Sequence, residues 1–290
     1  MRITALLLTL TIAVSACIPS GPETTTESTN SGDNAVNDSV DYVAYTELLK
    51  TYVDDNGLVN YAELQKNRAP LDAFVASFAQ LSTESFNAWS DDAKIAFWFN
   101  AYNAITLQAI IDNYPIKKGG LIKGLRFPDN SIRQIDGVWD KMTTRIMDRD
   151  LTLDNIEHDI LRVEYDEPRL HAALVCAAIS CPPLRQEAYT AARLDEQLSD
   201  QSMRFVSSDK GLRIDPDKKK VFLSKILDWY GDDFVRMYNT AETISGHGKK
   251  VNAILDYART YTYASAADYI AGEKYDVEYL DYDWTLNEQQ

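Results

Sequence analysis

Residues 92–113 read DAKIAFWFNAYNAITLQAIIDN. Apart from the N-terminal segment, this is the most apolar stretch of the chain. Isoleucine, leucine and aromatic side chains fall on every side of a helix drawn through this stretch, so the helix has no polar face. A helix that is apolar all round is buried on most sides. We therefore expect residues 92–113 to be a helix inside the core of the protein.

Two carboxamides interrupt this apolar helix. Asn100 and Asn103 are three residues apart and lie on one side of it. A buried carboxamide is costly unless it is fully hydrogen-bonded. The pair is therefore either a structural clamp on the backbone or part of a site, and both alternatives stay open. We take Asn100 and Asn103 as candidate substrate-binding residues.

Hydrophobic spacing places the other elements along the chain. It predicts helices at 41–53, 62–67, 70–81, 153–165, 191–205, 224–238, 250–261 and 264–271. Hairpins are expected within 138–151 and 212–223, and extended segments at 58–61 and 275–286. No repeat and no interior linker divides residues 41–290. The sequence thus predicts an α+β fold, a helix-dominated single domain with a few short strands and hairpins.

The composition limits the partners of this domain. Of the 290 residues, 45% are hydrophobic and 11% aromatic, which is ample for a buried core. The chain has 29 basic and 44 acidic side chains and a net charge of −15, so its surface repels phosphate backbones. Nucleic acid is therefore not an expected partner.

Residues 1–16 have the pattern of a bacterial export signal. Arg2 supplies a positive charge, residues 3–14 are apolar or threonine, and small residues precede Cys17. The apolar run is too short to span a bilayer. The signal ends in Val-Ser-Ala-Cys, which resembles the lipobox of bacterial lipoproteins, where the cysteine becomes the N-terminus and carries acyl chains such as palmitate. The alternative is ordinary cleavage before Cys17, which would leave a free thiol.

The segment after Cys17 cannot fold by itself. Seventeen of the twenty-three residues 18–40 are Ser, Thr, Asn, Asp, Gly or Pro, and none is aromatic. We assign residues 17–40 to the acylated Cys17 and a disordered tether, and residues 41–290 to the globular domain. The domain would then be lipid-anchored in the cell envelope, and its contact with the membrane would be this anchor. Ile18, where an aspartate would favour retention in the inner membrane, favours the outer membrane.

A carboxylate lies within the apolar face of the helix predicted at residues 153–165. At 100° per residue, Glu157 lies within an apolar stripe and His158 at its edge; the stripe consists of Leu153, Ile156, Ile160, Leu161 and Val163. A carboxylate in such a stripe either has a polar partner or a raised pKa, and both situations are common at functional sites. Glu157 is thus a structural residue or a catalytic one, and both alternatives remain.

The two remaining cysteines follow a histidine at equal spacing. His171, Cys176 and Cys181 are each five residues apart, which is about 140° out of register on a helix. They cannot line one helix face, so we expect no metal there and no cofactor. The cysteine pair has three interpretations: a local disulfide, a Cys181 thiolate nucleophile with His171 or His158 as base, or two inert thiols. The first requires the chain to turn back after Cys176.

Several of these segments together resemble a family catalogued as domain of unknown function 547. The similar segments are 58–61 (LVNY), 96–104 (AFWFNAYNA), 156–162 (IEHDILR), 169–176 (RLHAALVC), 180–184 (SCPPL), 229–234 (WYGDDF) and 282–287 (YDWTLN). The resemblance runs from about residue 42 to the end and implies no assigned activity. Related domains that sit beside glutaredoxin-like modules imply thiol chemistry by association only.

The helix that contains Asn100 is also similar to the nucleophile helix of transglutaminase-like and papain-like enzymes. Asn100 stands where those enzymes have a cysteine, so the nucleophile would have to be Cys181. We expect an exported envelope protein of unassigned activity with Cys181, His171, His158 and Glu157 as candidate catalytic residues of a hydrolase or transferase. The alternative is a non-enzymatic lipoprotein that binds a small molecule or envelope partner and is stapled by a Cys176–Cys181 disulfide.

The anchor gives a first prediction. Cys17→Ala should abolish acylation and move the mature protein from the detergent phase to the aqueous phase, because the acyl chains are what bind the bilayer. Detergent-phase partitioning and intact-mass spectrometry measure both effects. Ser20→Ala, a change within the tether, should leave both unchanged. An unmodified Cys17 in membrane-free material would contradict the prediction.

Overall fold

Helices dominate the architecture. The computed structural model describes residues 40–117, 125–238, 244, 246–272 and 274–290. The predicted signal, the lipidated Cys17 and the tether up to residue 39 lie outside the described residues. The α-helices are α1 Tyr42–Tyr52, α2 Tyr61–Lys66, α3 Ala69–Ser77, α4 Thr83–Asn87, α5 Asp91–Asn113, α6 Arg162–Glu164, α7 Leu170–Ala173, α8 Leu194–Val206, α9 Lys225–Trp229, α10 Gly231–Met237, α11 Lys249–Thr260 and α12 Ala264–Gly272.

Shorter helical turns complete these elements. A π-helix, Asn155–Leu161, leads directly into α6. Turns of 3₁₀-helix occur at Phe78–Gln80, Ile132–Gln134 and Ala191–Arg193. Within the described part of the chain, no helix has the length and hydrophobicity that a bilayer crossing needs.

The strands form two small sheets. One is the antiparallel hairpin of β1 Thr144–Ile146 and β2 Arg149–Leu151, in which Thr144 lies opposite Leu151. In the other, β3 Leu212–Asp215 pairs antiparallel with β4 Lys220–Leu223, which pairs in parallel with β5 Asp276–Tyr279. The sequence-based prediction of a helix-dominated α+β single domain with a few short strands and hairpins is confirmed.

Helix α5 forms where the sequence predicts it. The Ser90 hydroxyl caps its N-terminus by accepting from the backbone N–H of Ala93 at 3.2 Å, and two aspartates follow in the first turn, where negative charge stabilises a helix. Phe97, Phe99 and Ile110 are fully buried, as are most side chains of this helix. The absence of a polar face therefore reflects burial on all sides.

The predicted helix at 224–238 is wrong in one respect, because the chain makes two helices there. Helix α9 ends at Trp229, Tyr230 leaves helical geometry with φ −108° and ψ 14°, and α10 begins at Gly231. A Cβ at Gly231 would lie 2.3 Å from Cε of Lys250 on α11. The break therefore lies against side chains of α11, and a larger residue at position 231 would displace the Lys250 side chain.

Two hydrophobic clusters make up the core. The larger surrounds α5, and the smaller contains Phe234, Ile254 and Tyr257 on α10 and α11 together with the inner face of β4. Tyr282 packs against both clusters. The described residues lie within one compact unit, residues 31–290.

The two amides of α5 bind the backbone of two other segments of the chain. Asn100 donates to the carbonyl of Tyr189 at 2.8 Å and accepts from its N–H at 2.9 Å. Asn103 donates to the carbonyl of Ala173 at 3.0 Å and accepts from the N–H of Val175 at 2.9 Å. The side chains are buried and each amide is used at both ends. This arrangement is the clamp alternative, and the substrate-binding role of the two amides stays a prediction.

The Asn103 clamp can be tested by truncation. Asn103→Ala should lower the free energy of unfolding by about 1–3 kcal/mol, because it leaves a buried N–H and a buried carbonyl without partners. Urea unfolding measures the change. Asn87→Ala, which alters an exposed asparagine at the end of α4, should stay within about 0.5 kcal/mol of the parent protein. Equal effects of the two substitutions would contradict the clamp.

Candidate functional site

A cavity of about 660 Å³ opens beside α5. Six of the side chains that line it are aromatic and lie outside α5: Phe127, Trp139, Trp229, Tyr230, Tyr282 and Trp284. The ionisable side chains on its wall are Arg126, Arg133, Asp140, Asp154, Glu157, His158 and His171. Cys176 also contributes to the wall. Ligand cavities in proteins have this size and this mixture of apolar surface with a few polar groups.

Glu157 points inward from the π-helix, as its place on the apolar stripe predicts. The turn begins where the backbone N–H of Asn155 donates to the Thr152 hydroxyl at 3.1 Å. The Glu157 side chain is buried, and its Oε2 accepts a hydrogen bond from the Tyr102 hydroxyl at 3.1 Å. Single π-turns often occur at functional sites because they displace a side chain from the regular helical position.

Three tyrosines surround this carboxylate. Burial raises the pKa of Tyr102, Tyr230 and Tyr282, and the negative charge of Glu157 raises all three further. Their hydroxyls therefore stay protonated and act as hydrogen-bond donors. The polar end of the cavity thus combines one carboxylate with three phenols.

His171 is oriented by a carboxylate that also holds an arginine. Its Nε2 lies 2.8 Å from Oδ2 of Asp233, and Nε and Nη2 of Arg162 donate to the same carboxylate at 2.7 and 3.2 Å. Burial raises the pKa of the Asp233 carboxyl, but the hydrogen bonds from His171 and Arg162 outweigh it and hold the pKa below its usual range. Burial lowers the pKa of His171.

The lowered pKa favours the neutral form of His171. An ionised carboxylate can only accept, so the hydrogen of the neutral ring is on Nε2 and the lone pair is on Nδ1. The ring stacks on Tyr230 with 4.1 Å between the ring centres. The hydrogen bond to Asp233 and the stacking on Tyr230 therefore hold the imidazole in one orientation.

His158 is held by the same arginine. Its Nδ1 lies 2.9 Å from Nη1 of Arg162, and a guanidinium only donates, so Nδ1 accepts and Nε2 carries the hydrogen of the neutral ring. Nε2 faces Oδ1 of Asp154 at 3.9 Å. In this form His158 offers the cavity a donor and not a base.

The two cysteines are joined. Cys176 and Cys181 form a disulfide, and the chain turns between them through Ala177, whose φ is 58°. Cys176 is half-buried on the cavity wall, whereas Cys181 lies behind it and is 2% exposed. The hydroxyl of Tyr282 is 3.1 Å from each sulfur.

This arrangement is the disulfide alternative of the three that the sequence leaves open. The expected pairing of Cys181 with His171 or His158 is not what the structure shows, because the hydrogen-bond partners of its sulfur are the Tyr282 hydroxyl and the backbone N–H of Cys176, at 3.2 Å. The residue at the cavity wall is Cys176. Among the described residues, no group of three or more carboxylate, imidazole and thiol side chains is placed to hold a metal ion.

Sequence reasoning missed the aromatic wall and Arg133. Tyr230 and Trp229 lie in one of the family-like segments, and Tyr282 and Trp284 lie in another, but these motifs gave no role to the rings. Spacing offers no signal for Arg133, which reaches the cavity from a 3₁₀ turn in an irregular region.

Comparison with known proteins identifies part of the chain. Residues 86–206 match the model of a family described as "Protein of unknown function, DUF547". This span contains α5, Glu157, both site histidines and both cysteines of the disulfide, whereas the segments 58–61, 229–234 and 282–287 lie outside it. No curated protein and no solved structure matches the chain.

The Asp233 network gives a pH-dependent prediction. Asp233→Asn should lower the free energy of unfolding by about 1.5–3 kcal/mol at pH 7, because charged hydrogen bonds to His171 and Arg162 are lost. Since folding lowers the pKa of Asp233 below its unfolded value of about 3.9, this difference should be full above about pH 5 and shrink as the pH falls further. Urea unfolding from pH 7 to pH 3 measures it.

The neighbouring aspartate provides the control for this measurement. Asp232 is exposed in the same first turn of α10, so Asp232→Asn removes the same charge near the same helix end. We expect a change within about 0.5 kcal/mol. A difference for Asp233→Asn that is constant over the whole pH range would contradict the network.

Proposed function

The chain belongs to the DUF547 family over residues 86–206, and the description of that family assigns no activity. We therefore propose a function from the cavity itself. The domain binds a small organic molecule that has a flat apolar part and an anionic group. The observation that carries this proposal is the position of Arg133, a partly buried cation on an aromatic wall. Size supports it, since about 660 Å³ suits a molecule of drug-like dimensions.

Arg133 lies among rings. Its guanidinium carbon is 4.6 Å from the ring centre of Phe127, 5.2 Å from that of Trp139 and 5.1 Å from that of Trp284. Within the described part of the chain, no carboxylate lies at ion-pair distance from it. Burial and the nearby charge of Arg126 lower the pKa of Arg133. An anion bound there would stabilise the charge of Arg133 and accept two parallel hydrogen bonds from its planar guanidinium group.

The wall next to Arg133 offers flat apolar surfaces. Trp229 and Trp284 lie nearly parallel, with 6.0 Å between their ring centres, and Tyr282 contacts both rings. Exposed aromatic faces of this kind bind planar ligands by offset or edge-to-face packing. In a chain of net charge −15, the pair Arg126 and Arg133 is a local positive region on one side of the cavity.

The cavity wall also has polar groups that suit uncharged parts of a ligand. Glu157 accepts hydrogen bonds, one of them from the Tyr102 hydroxyl, and Nε2 of the neutral His158 ring can donate one. A ligand with its anionic group at Arg133 would therefore place hydroxyl, amine or amide groups toward Glu157. This polarity orients the ligand within the cavity.

We place this binding activity in the bacterial cell envelope. Support comes from residues 1–17, which have the pattern of an export signal with an acylated cysteine, and from the tether that follows. Ile18 favours the outer membrane over the inner membrane. A domain held near a membrane by an acyl anchor meets small molecules of the envelope, which are the partners we propose.

A cysteine hydrolase or transferase is the second candidate. One observation favours it: Glu157, His171 and Cys176 line the same cavity. The thiolate would require reduction of the disulfide, and it would then be Cys176 that faces a substrate. Counting free thiols after unfolding without reductant separates the two candidates, since binding alone needs none.

Arg133 gives the test of ligand binding. The aromatic sulfonate anilinonaphthalene sulfonate and its uncharged analogue phenylnaphthylamine serve as fluorescent probes. Arg133→Met should raise the Kd of the sulfonate about tenfold, which corresponds to about 1.4 kcal/mol, because the charge contact is lost while apolar contacts remain. The Kd of the uncharged probe should change little.

An exposed arginine controls for net charge. Arg149→Met removes the same charge from the surface strand β2 and should leave both affinities unchanged. If Arg133→Met weakens both probes equally, or neither, the cavity does not select an anionic group.

A further inference from the structure

We propose that the Cys176–Cys181 disulfide is redox-active and oxidises thiols that enter the cavity, becoming a dithiol in the process. This activity does not rest on the anionic ligand proposed above, because it depends on the sulfurs and the groups around them. It would stand even if Arg133 bound nothing.

The two sulfurs differ in access. Cys176 is half-buried on the cavity wall, and Cys181 is 2% exposed behind it. A thiolate that enters the cavity therefore reaches Sγ of Cys176 and not that of Cys181. Thiol–disulfide exchange depends on which sulfur is attacked, and this geometry assigns attack to Cys176.

The groups around Sγ of Cys181 favour its departure as a thiolate. Sγ of Cys181 receives the backbone N–H of Cys176 at 3.2 Å and lies 3.1 Å from the hydroxyl of Tyr282. Hydrogen bonds of this kind stabilise the thiolate that forms when the bond breaks. Burial raises the pKa of Tyr282, so its hydroxyl remains a donor at neutral pH. A stabilised leaving thiolate makes exchange faster.

The exchange balances in two steps. The substrate thiolate attacks Sγ of Cys176, the Cys176–Cys181 bond breaks, and Cys181 leaves as a thiolate that takes up a proton. A second thiol, from the same dithiol or another molecule, then attacks the substrate sulfur of the mixed disulfide and releases Cys176. Two thiols are oxidised to one disulfide, and the protein disulfide is reduced by two electrons to two thiols.

The fold does not need this bond to hold the turn. The cysteines are five residues apart, and a bridge that closes so short a loop constrains the unfolded chain less than a long-range bridge. Backbone hydrogen bonds already fix the segment: Ile179 to Thr285 at 2.8 Å, Ser180 to Asp283 at 3.2 Å and Val175 to the Asn103 side chain at 2.9 Å. The dithiol can therefore keep the same fold, which a reversible redox site requires.

Redox titration of the folded full chain tests the proposal. The protein is equilibrated in buffers of reduced and oxidised glutathione, quenched with acid, alkylated and mapped by mass spectrometry, while near-ultraviolet circular dichroism reports the fold. We expect a reversible two-electron transition with the folded signal retained. A bridge that is reduced only under conditions that unfold the protein would overturn the proposal and make the disulfide a structural staple.

Single-cysteine variants identify the attacked sulfur. In folded Cys181→Ser, oxidised glutathione should form an adduct on Cys176 at least tenfold faster than it forms one on Cys181 in Cys176→Ser. After unfolding, the two rates should converge. Equal rates in the folded variants, or faster reaction of Cys181, would overturn the assignment. Should either variant fail to fold, brief reduction of the parent protein with glutathione and mapping of the mixed disulfide gives the same information.

Tyr282 provides a readout that a structural bridge would not give. Tyr282→Phe removes the hydroxyl beside both sulfurs and should slow reduction by dithiothreitol several-fold without changing the circular dichroism. Tyr279→Phe, on the preceding strand β5, is the matched control and should leave the rate unchanged. An unchanged rate in Tyr282→Phe would overturn the role given to the leaving sulfur.

Discussion

The carboxamide of Asn103 determines where the candidate site lies. It emerges from the most buried helix of the protein and binds both Ala173 and Val175, so the chain between His171 and Cys176 is fixed to the core. A buried carboxamide is costly unless it is hydrogen-bonded, and backbone from a distant segment pairs with both its nitrogen and its oxygen. The histidine on one side of this attachment and the disulfide on the other are thereby placed on the same cavity.

Charge is distributed unevenly around that cavity. Arg162 and His171 share the carboxylate of Asp233, so Asp233 orients His171 while Arg162 orients His158. Arg133 has rings as its neighbours in the described chain. The charge of Arg162 is thus neutralised within the described part of the protein, whereas that of Arg133 is not. The proposed ligand has an anionic group because Arg133 is the cation that it can pair with.

Local sequence patterns predicted the helices and hairpins but not the contacts between residues far apart in the sequence. The apolar run 92–113, the two hairpins and the inward side of Glu157 follow from spacing within one element, and each was predictable. The Asn103 clamp joins residues 70 positions apart, and the contact of His171 with Asp233 spans 62. The disulfide requires a turn at Ala177 with a positive φ, which alanine rarely adopts. The sequence has no glycine or asparagine there that would have predicted the turn. The family-like segments contain Glu157, His171 and Cys176 but did not give their geometry.

The wall of the cavity has a further consequence for how the protein acquires its disulfide. Tyr282 meets Cys181 across 101 residues, and the segment that follows it is tied to the start of the domain, where the Gln289 side chain donates to the Tyr52 carbonyl across 237 residues. Closing such long loops is slow, whereas two cysteines five residues apart collide early. In oxidative folding the sulfurs would thus be joined before Tyr282 arrives, and the phenol would pack beside a bond that already exists.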